Sequence, residues 1–273
     1  MSLFTTSLNS GSNGNCYYIG NEKDAVLIDA GLTCRETEKR MKLLGLSMNK
    51  VRAIFISHEH TDHVKGVPAI AEKFSLPVYL SPGTLAACAY VSGCNTRILY
   101  ANQPVVLGGL LITAFSKKHD AEDPHSFIVC GNEVTIGIFT DIGSACDNVI
   151  NYFKQCNAAY LEANYDEDLL ENGKYPYFLK NRIRGERGHL SNHQALAIFK
   201  DYRPSFLSHL FLAHLSKDNN CPEKARTLFE THCGQTKIVI ASRYEAIPLY
   251  NITSAGKYVT SKHQTQPLQM SLF

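Results

Sequence analysis

Apolar residues in this chain fall into short runs separated by amphipathic stretches of helical period. Residues 51–56 (Val-Arg-Ala-Ile-Phe-Ile) form one such run, too short for a helix and suited to a buried strand. Runs at 15–19 and 25–29 predict two strands about a turn at Gly20-Asn21, and 77–80 predicts another. Helices are expected over 35–44, closed by Gly45, over 67–74, with Pro68 in its first turn, and over 84–91. From 97 to 140 the pattern turns to strands, at 105–107, 110–115, 126–130 and 134–139. A helix over 146–155, a strand over 158–161 and a helical stretch over 166–183, broken near Gly173 and Pro176, come next. Ser191 with Gln194 three residues on forms a capping box and opens a helix over 191–202. A strand over 206–213, a helix over 222–231 and strands over 237–241 and 247–250 complete the pattern. Residues 1–15 are polar and predict no element, and from 253 the chain turns polar again and reads as a flexible tail. Two β-rich layers with helices between strands predict an α/β chain, an αββα sandwich, with a domain over 1–252 and a tail over 253–273.

The 273 residues are 44% hydrophobic and 19% charged, enough for one large domain or two tightly packed halves. A net charge of +2 does not mark the whole chain as a nucleic-acid binder. Lys174, Lys180, Arg182, Arg184 and Arg187 make a local basic run, diluted by Glu171 and Glu186, that reads as a solvated helix face. Tyr175, Tyr177 and Phe178 beside it could stack on bases, but are expected to pack against the core. Nine scattered cysteines without a C-x-x-C, no signal-peptide pattern and no run of membrane-spanning length point to free thiols in a cytoplasmic protein without a membrane partner.

The strand at 51–56 runs into His58-Glu59-His60-Thr61-Asp62-His63. His58 and His60 stand two apart and project to one side of an extended segment, and Asp62 and His63 follow within a turn. Such a crowd of ligands suits two close divalent ions, which a hydrolase uses to activate a water and clamp a phosphoryl or acyl oxygen. Each ion needs further ligands, and strand ends are where a fold can gather them. His119, Asp141 and His214 each follow an expected strand.

His58-x-His60-x-Asp62-His63 with His119, Asp141 and His214 resembles the ligand set of the metallo-β-lactamase superfamily, whose fold is the αββα sandwich. The resemblance implies that His58, His60 and His119 hold one metal and that Asp62, His63 and His214 hold the second. It also implies that Asp141 bridges them and that Asp29, in Leu-Ile-Asp-Ala-Gly, supports the histidine loop. Redox iron and β-lactam hydrolysis are disfavoured, because His60 and Asp141 depart from those branches. Ser10-Gly-Ser-Asn-Gly-Asn-Cys16, His119-Asp-Ala121, Leu161-Glu-Ala-Asn164, Gly188-His-Leu-Ser-Asn192 and His214-Leu-Ser-x-x-Asn-Asn220 resemble the YycJ-like (WalJ) branch, associated with single-stranded DNA exonuclease activity. Tyr165 stands where that branch would have a histidine.

On this reading Asp62, Asp141 and His189 are catalytic, with Asp141 positioning the attacking water and His189 binding the scissile phosphate or protonating the leaving oxygen. His189 is also the alternative to His214 as the last ligand. Ser12, Asn13 and Asn15 form either an anion-binding nest or an ordinary turn, and Ser191 opens a helix whose N-terminus favours phosphate. Zinc and manganese both suit the donors. The terminal Gln269-Met-Ser-Leu272-Phe273 is similar to peptides that dock on the bacterial DNA sliding clamp. The alternatives are a two-metal hydrolase of a small phosphodiester, thioester or lactone, and a non-catalytic DNA or clamp adaptor.

Overall fold

A computed structural model describes residues 2–254. Gln269, Leu272 and Phe273, and with them the clamp peptide, lie outside the described residues.

The strands are β1 (Ser2–Asn9), β2 (Cys16–Gly20), β3 (Ala25–Ile28), β4 (Val51–Phe55), β5 (Val78–Leu80), β6 (Thr96–Ile98), β7 (Val105–Leu107), β8 (Leu110–Ser116), β9 (His125–Gly131), β10 (Val134–Phe139), β11 (Ala158–Glu162), β12 (His209–Ala213), β13 (Lys237–Ile240) and β14 (Tyr250–Thr253). The helices are α1 (Cys34–Leu43), α2 (Thr61–Val64), α3 (Val67–Phe74), α4 (Pro82–Ala87), α5 (Asp147–Phe153), α6 (Glu167–Asn172), α7 (Tyr177–Arg184), α8 (Asn192–Tyr202) and α9 (Pro222–Glu230). They build two seven-stranded sheets, ordered β14-β1-β2-β3-β4-β5-β6 and β13-β12-β11-β10-β9-β8-β7. Each sheet is part antiparallel and part parallel; β3 to β6 run parallel in the first, β10 to β13 in the second.

The sheets face each other across a shared core. Tyr17 of β2 meets Tyr160 of β11 at 5.0 Å between ring centroids, and Tyr160 stacks on Phe211 of β12 at 4.3 Å. The buried Tyr160 hydroxyl is paired with Thr5 Oγ1 at 3.1 Å, so this polar atom is not stranded between the sheets. Outside, α1 and α3 cover the first sheet through Met41, Val67 and Ile70, and α5, α8 and α9 cover the second through Phe153, Phe199 and Phe229. This is the expected αββα sandwich.

The largest departure from the expected elements is β1. Its Thr5, Thr6 and Ser7 read as loop residues, yet all are buried. The hydroxyls of Thr5 and Thr6 donate to the carbonyls of Tyr18 and Ile247, which removes the penalty of burying them. The strand expected from 206 begins at His209, because Phe206 is exposed in a turn after Pro204. The tail boundary also moves: Thr253 belongs to β14 and pairs with Ser2.

At the start of β12, His209 lies over Phe211 and against Tyr250. Burial, with Lys237 adding to it, pushes its imidazole down to about 4. The unfolded side chain titrates near about 6.5, so on acidification the unfolded chain takes up the proton first. This contribution to stability is complete above about pH 6.5 and is lost as pH falls toward about 4, a swing on the order of 2 kcal/mol after allowing for partial exposure. His209→Phe is expected to keep the ring packing and remove that share of acid sensitivity. Urea midpoints of both proteins at about pH 7 and about pH 4.5 check this; an equal loss in the two would refute it.

Candidate metal centre

The carboxyl ends of β3, β4, β8, β10, β11 and β12 lie at one rim of the sandwich and deliver Asp29, the loop from His58 to His63, His119, Asp141, Glu162 and His214. Three of these residues leave their strands with left-handed backbone: Asp29 at φ 59°, Asp141 at φ 54° and His214 at φ 56°. Non-glycine residues adopt this region at a cost, and it persists where surrounding contacts enforce it. Gly31 lets the loop approach, because a Cβ there would stand 1.7 Å from the Asp62 carbonyl oxygen.

Four sets of ligand atoms come within 4.8 Å of one another. His58, His60 and His119 form one, and Asp62, His63 and His214 another. Asp141 lies between these two trios, its Oδ2 3.3 Å from His63 Nε2 and its Oδ1 3.9 Å from His119 Nε2.

Hydrogen bonds show which ring nitrogen four of the histidines offer. His63 Nδ1 is 2.7 Å from Asp29 Oδ2, and the backbone N–H and hydroxyl of Ser57 donate to the same carboxylate. With its hydroxyl proton on Asp29, Ser57 Oγ accepts from His58 Nδ1 at 2.9 Å. His119 Nδ1 donates to the Gly188 carbonyl at 3.1 Å, and His214 Nδ1 to Glu162 Oε1 at 3.0 Å. In these four rings Nδ1 is the engaged nitrogen, which leaves Nε2 to turn toward the centre. His119 Nε2, His214 Nε2 and Asp141 Oδ2 are buried with no hydrogen-bond partner among the described residues. Converging, unpartnered donor atoms of this kind fit divalent cations and little else.

The electrostatics agree. Burial opposes the charge on Asp141, but His214, His63 and Lys117 hold its carboxyl well below the usual range. Asp62, likewise against burial, is held at about 2 by His63 and His214. Burial pushes His58 well down and His119 to about 4. Against burial, Asp141 and its acidic neighbours draw a proton onto His214, and Asp29 and Asp62 draw one onto His63. The same atoms attract protons and metal ions, so metal affinity weakens as pH falls.

The structure separates the other expected site residues. His189 stands at the mouth, one-fifth exposed, with Nδ1 2.8 Å from Glu162 Oε1. Its ring lies 5.3 Å from those of His119 and His214, and with Asp141, Glu162 and His214 it makes up a further one of the four ligand sets. Asn15 is buried, and its amide donates to Asp62 Oδ2 at 3.1 Å while its carbonyl accepts from Gly11 N; it steadies a ligand and does not face substrate. Ser191 is buried, with its backbone N–H and its Oγ lone pair engaged in the capping box with Gln194. Ser12 and Asn13 are exposed at the rim beside Arg243. Tyr165 is buried, and its carbonyl accepts from Asn192 N at the start of α8.

The aromatics of the basic stretch do not join the core. No residue of α7 is buried, and Tyr177 and Phe178 are 72% and 73% exposed. They stay outside because α6 and α7 project beside the rim, tied down by polar contacts. Arg182 pairs with Asp120, Arg187 Nε donates to the His119 carbonyl, and Tyr175 donates to Asp218.

Glu162 was given no role from the sequence. It is fully buried, held at about 2 against burial by His189 and His214, and accepts from Ile142 N as well as both rings. A carboxylate closing the apolar strand Ala-Ala-Tyr-Leu-Glu was the available signal.

A family described as the beta-lactamase superfamily domain matches residues 24–214. The chain is 35% identical to exodeoxyribonuclease YycJ of Bacillus anthracis over 230 residues, 83% of this chain and 87% of that protein. It is 28% identical to exodeoxyribonuclease WalJ of Streptococcus pneumoniae, covering 85% and 88% of the two chains. The crystal structure of the metallo-beta-lactamase fold protein YhfI from Bacillus subtilis superposes with a TM-score of 0.70 at 16% identity, over 92% of this chain and all of that one. With its rim of histidines and carboxylates and its two long relatives, the chain belongs to the metallo-β-lactamase superfamily and, within it, to the YycJ/WalJ branch.

Proposed function

We propose that this protein is a metal-dependent exonuclease that hydrolyses single-stranded DNA in DNA repair or maintenance. The observation that carries the hydrolytic part is the set of unpartnered, converging donors at the rim. Its close relatives are named exodeoxyribonucleases, which supports DNA as the substrate class. His58, His60 and His119 would hold one divalent ion and Asp62, His63 and His214 the other, with Asp141 between them; the donors accept zinc or manganese. Bound ions supply charge neutralisation and an acidified water. The chain's own residues do the rest. Glu162 holds His189 by Nδ1 and fixes the ring, which leaves Nε2 as the atom that would hand a proton to the leaving oxygen.

The preference for a single strand rests on α7. Unpaired bases can stack on exposed rings, whereas bases inside a duplex cannot reach them. Lys174, Lys180, Arg182 and Arg184 flank Tyr177 and Phe178 in sequence, with the Arg184 guanidinium 5.8 Å from the Tyr177 ring, and suit a phosphate backbone. Tyr177→Ala with Phe178→Ala is expected to raise KM for a labelled single-stranded oligonucleotide by about tenfold or more, since each lost stack costs about 1–3 kcal/mol. Duplex and single-stranded substrates run side by side check this. Equal KM in variant and wild type removes the platform from the account. Clamp docking through Gln269, Leu272 and Phe273 is a separate proposal that stands on the sequence.

A further inference from the structure

A second concavity lies beside the metal rim and plays no part in the account above. It has a volume of about 370 Å³ and opens at the carboxyl ends of β12 and β13, between the first half of α9 and residues 240–248. Its walls carry three cations, Lys217, Arg226 and Arg243, and one acid, Glu245. Arg226 is half-buried, and its Nε is buried without a hydrogen-bond partner. Among the described residues no hydrogen bond or ion pair reaches the guanidinium of Arg226 or the ammonium of Lys217. A partly desolvated cation without a counter-charge is costly, and an anion is the group that relieves it. Carboxyl ends of parallel strands beside a helix N-terminus are also where α/β sheets place phosphate-bearing ligands.

The pocket and the metal rim share a wall. Leu215, which lines the pocket, directly follows His214. Arg243 Nη1 donates to the Leu215 carbonyl at 3.2 Å, and Nη2 reaches Ser12 Oγ at 3.4 Å. Tyr244, 69% exposed, presents its ring at the edge with the Arg243 guanidinium 5.9 Å from its centroid. Cationic groups inside and an aromatic ring at the lip match the two halves of a nucleotide. The volume falls within the range of small-molecule sites.

We propose that this pocket is a nucleotide subsite. It receives one nucleotide unit of the strand adjoining the scissile bond, with the phosphate on Arg226 and Lys217 and the base against Tyr244. The assignment rests on the nuclease reading, and the experiment separates the two. The full-length, metal-loaded protein is titrated calorimetrically with deoxyadenosine 5′-monophosphate and, in parallel, with inorganic phosphate. Wild type, Arg226→Met and Lys217→Ala are compared. Methionine keeps the apolar stem, so α9 retains its packing. The nucleotide is expected to bind wild type more tightly than phosphate does, and each substitution to weaken it by about tenfold or more. Arg226→Met is expected to raise KM for a single-stranded oligonucleotide by a similar factor. Equal nucleotide affinity in wild type and both variants, with unchanged KM, overturns the subsite while leaving the nuclease reading intact. Arg226-dependent nucleotide binding in a protein that degrades no DNA supports the subsite and overturns the nuclease reading. Phosphate binding as tight as the nucleotide's overturns the role of Tyr244 and the base.

Discussion

Asp141→Ala is expected to abolish cleavage of single-stranded DNA, with a fall of roughly a thousandfold or more, and to strip the protein of bound metal. Among the described residues Asp141 is the carboxylate recorded between the two ligand trios, at 3.3 Å from His63 Nε2 and 3.9 Å from His119 Nε2. Removing it leaves two sets of donors without a shared anion, and metal ions contribute several kcal/mol to charge stabilisation in such reactions. His58→Ala should give the same phenotype from one trio alone. Asp141→Asn keeps the shape and separates charge from packing. Elemental analysis of the purified variants and labelled-oligonucleotide assays check this, with far-ultraviolet circular dichroism as the control for folding. Full activity and full metal content in both alanine variants would remove this rim from the chemistry.

His189→Ala is expected to lower kcat by about a hundredfold to ten-thousandfold while leaving metal content unchanged, which is the range for losing a general acid. It stands at the mouth, one-fifth exposed, whereas His214 turns a buried, unpartnered Nε2 toward Asp62. His214→Ala should therefore lose metal where His189→Ala does not, which decides between the two histidines as last ligand. A substrate whose leaving group needs no proton, such as a nitrophenyl phosphodiester, should show a much smaller defect in His189→Ala. Metal loss in His189→Ala, or an equal defect on both substrates, would end its role as proton donor.

The ligands were legible because they combine a dense local motif with single residues placed just after apolar strands. The fold was legible for a related reason: its buried parallel strands are short apolar runs whose periodicity survives without any tertiary knowledge. What stayed hidden depends on partners far away in the chain. Glu162 has meaning only once His189 and His214 arrive beside it, and Asn15 only once Asp62 does. The polar face of β1 looked like loop because the carbonyls that satisfy Thr5 and Thr6 belong to other strands. Tyr177 and Phe178 misled for the opposite reason. Large aromatic rings read as core residues, but both stand exposed, with no element among the described residues covering them.

Each trio draws on both halves of the molecule. His58, His60, Asp62 and His63 come from the sheet of β4; His119 and His214 come from the sheet of β8 and β12. An ion in either position would thus be a clasp between two layers that also meet through side-chain packing and hydrogen bonds such as that of Tyr160 with Thr5. Its binding energy is added to the docking of the layers, by mass action and only while they are aligned. Chelation would loosen the seam before it melted either sheet.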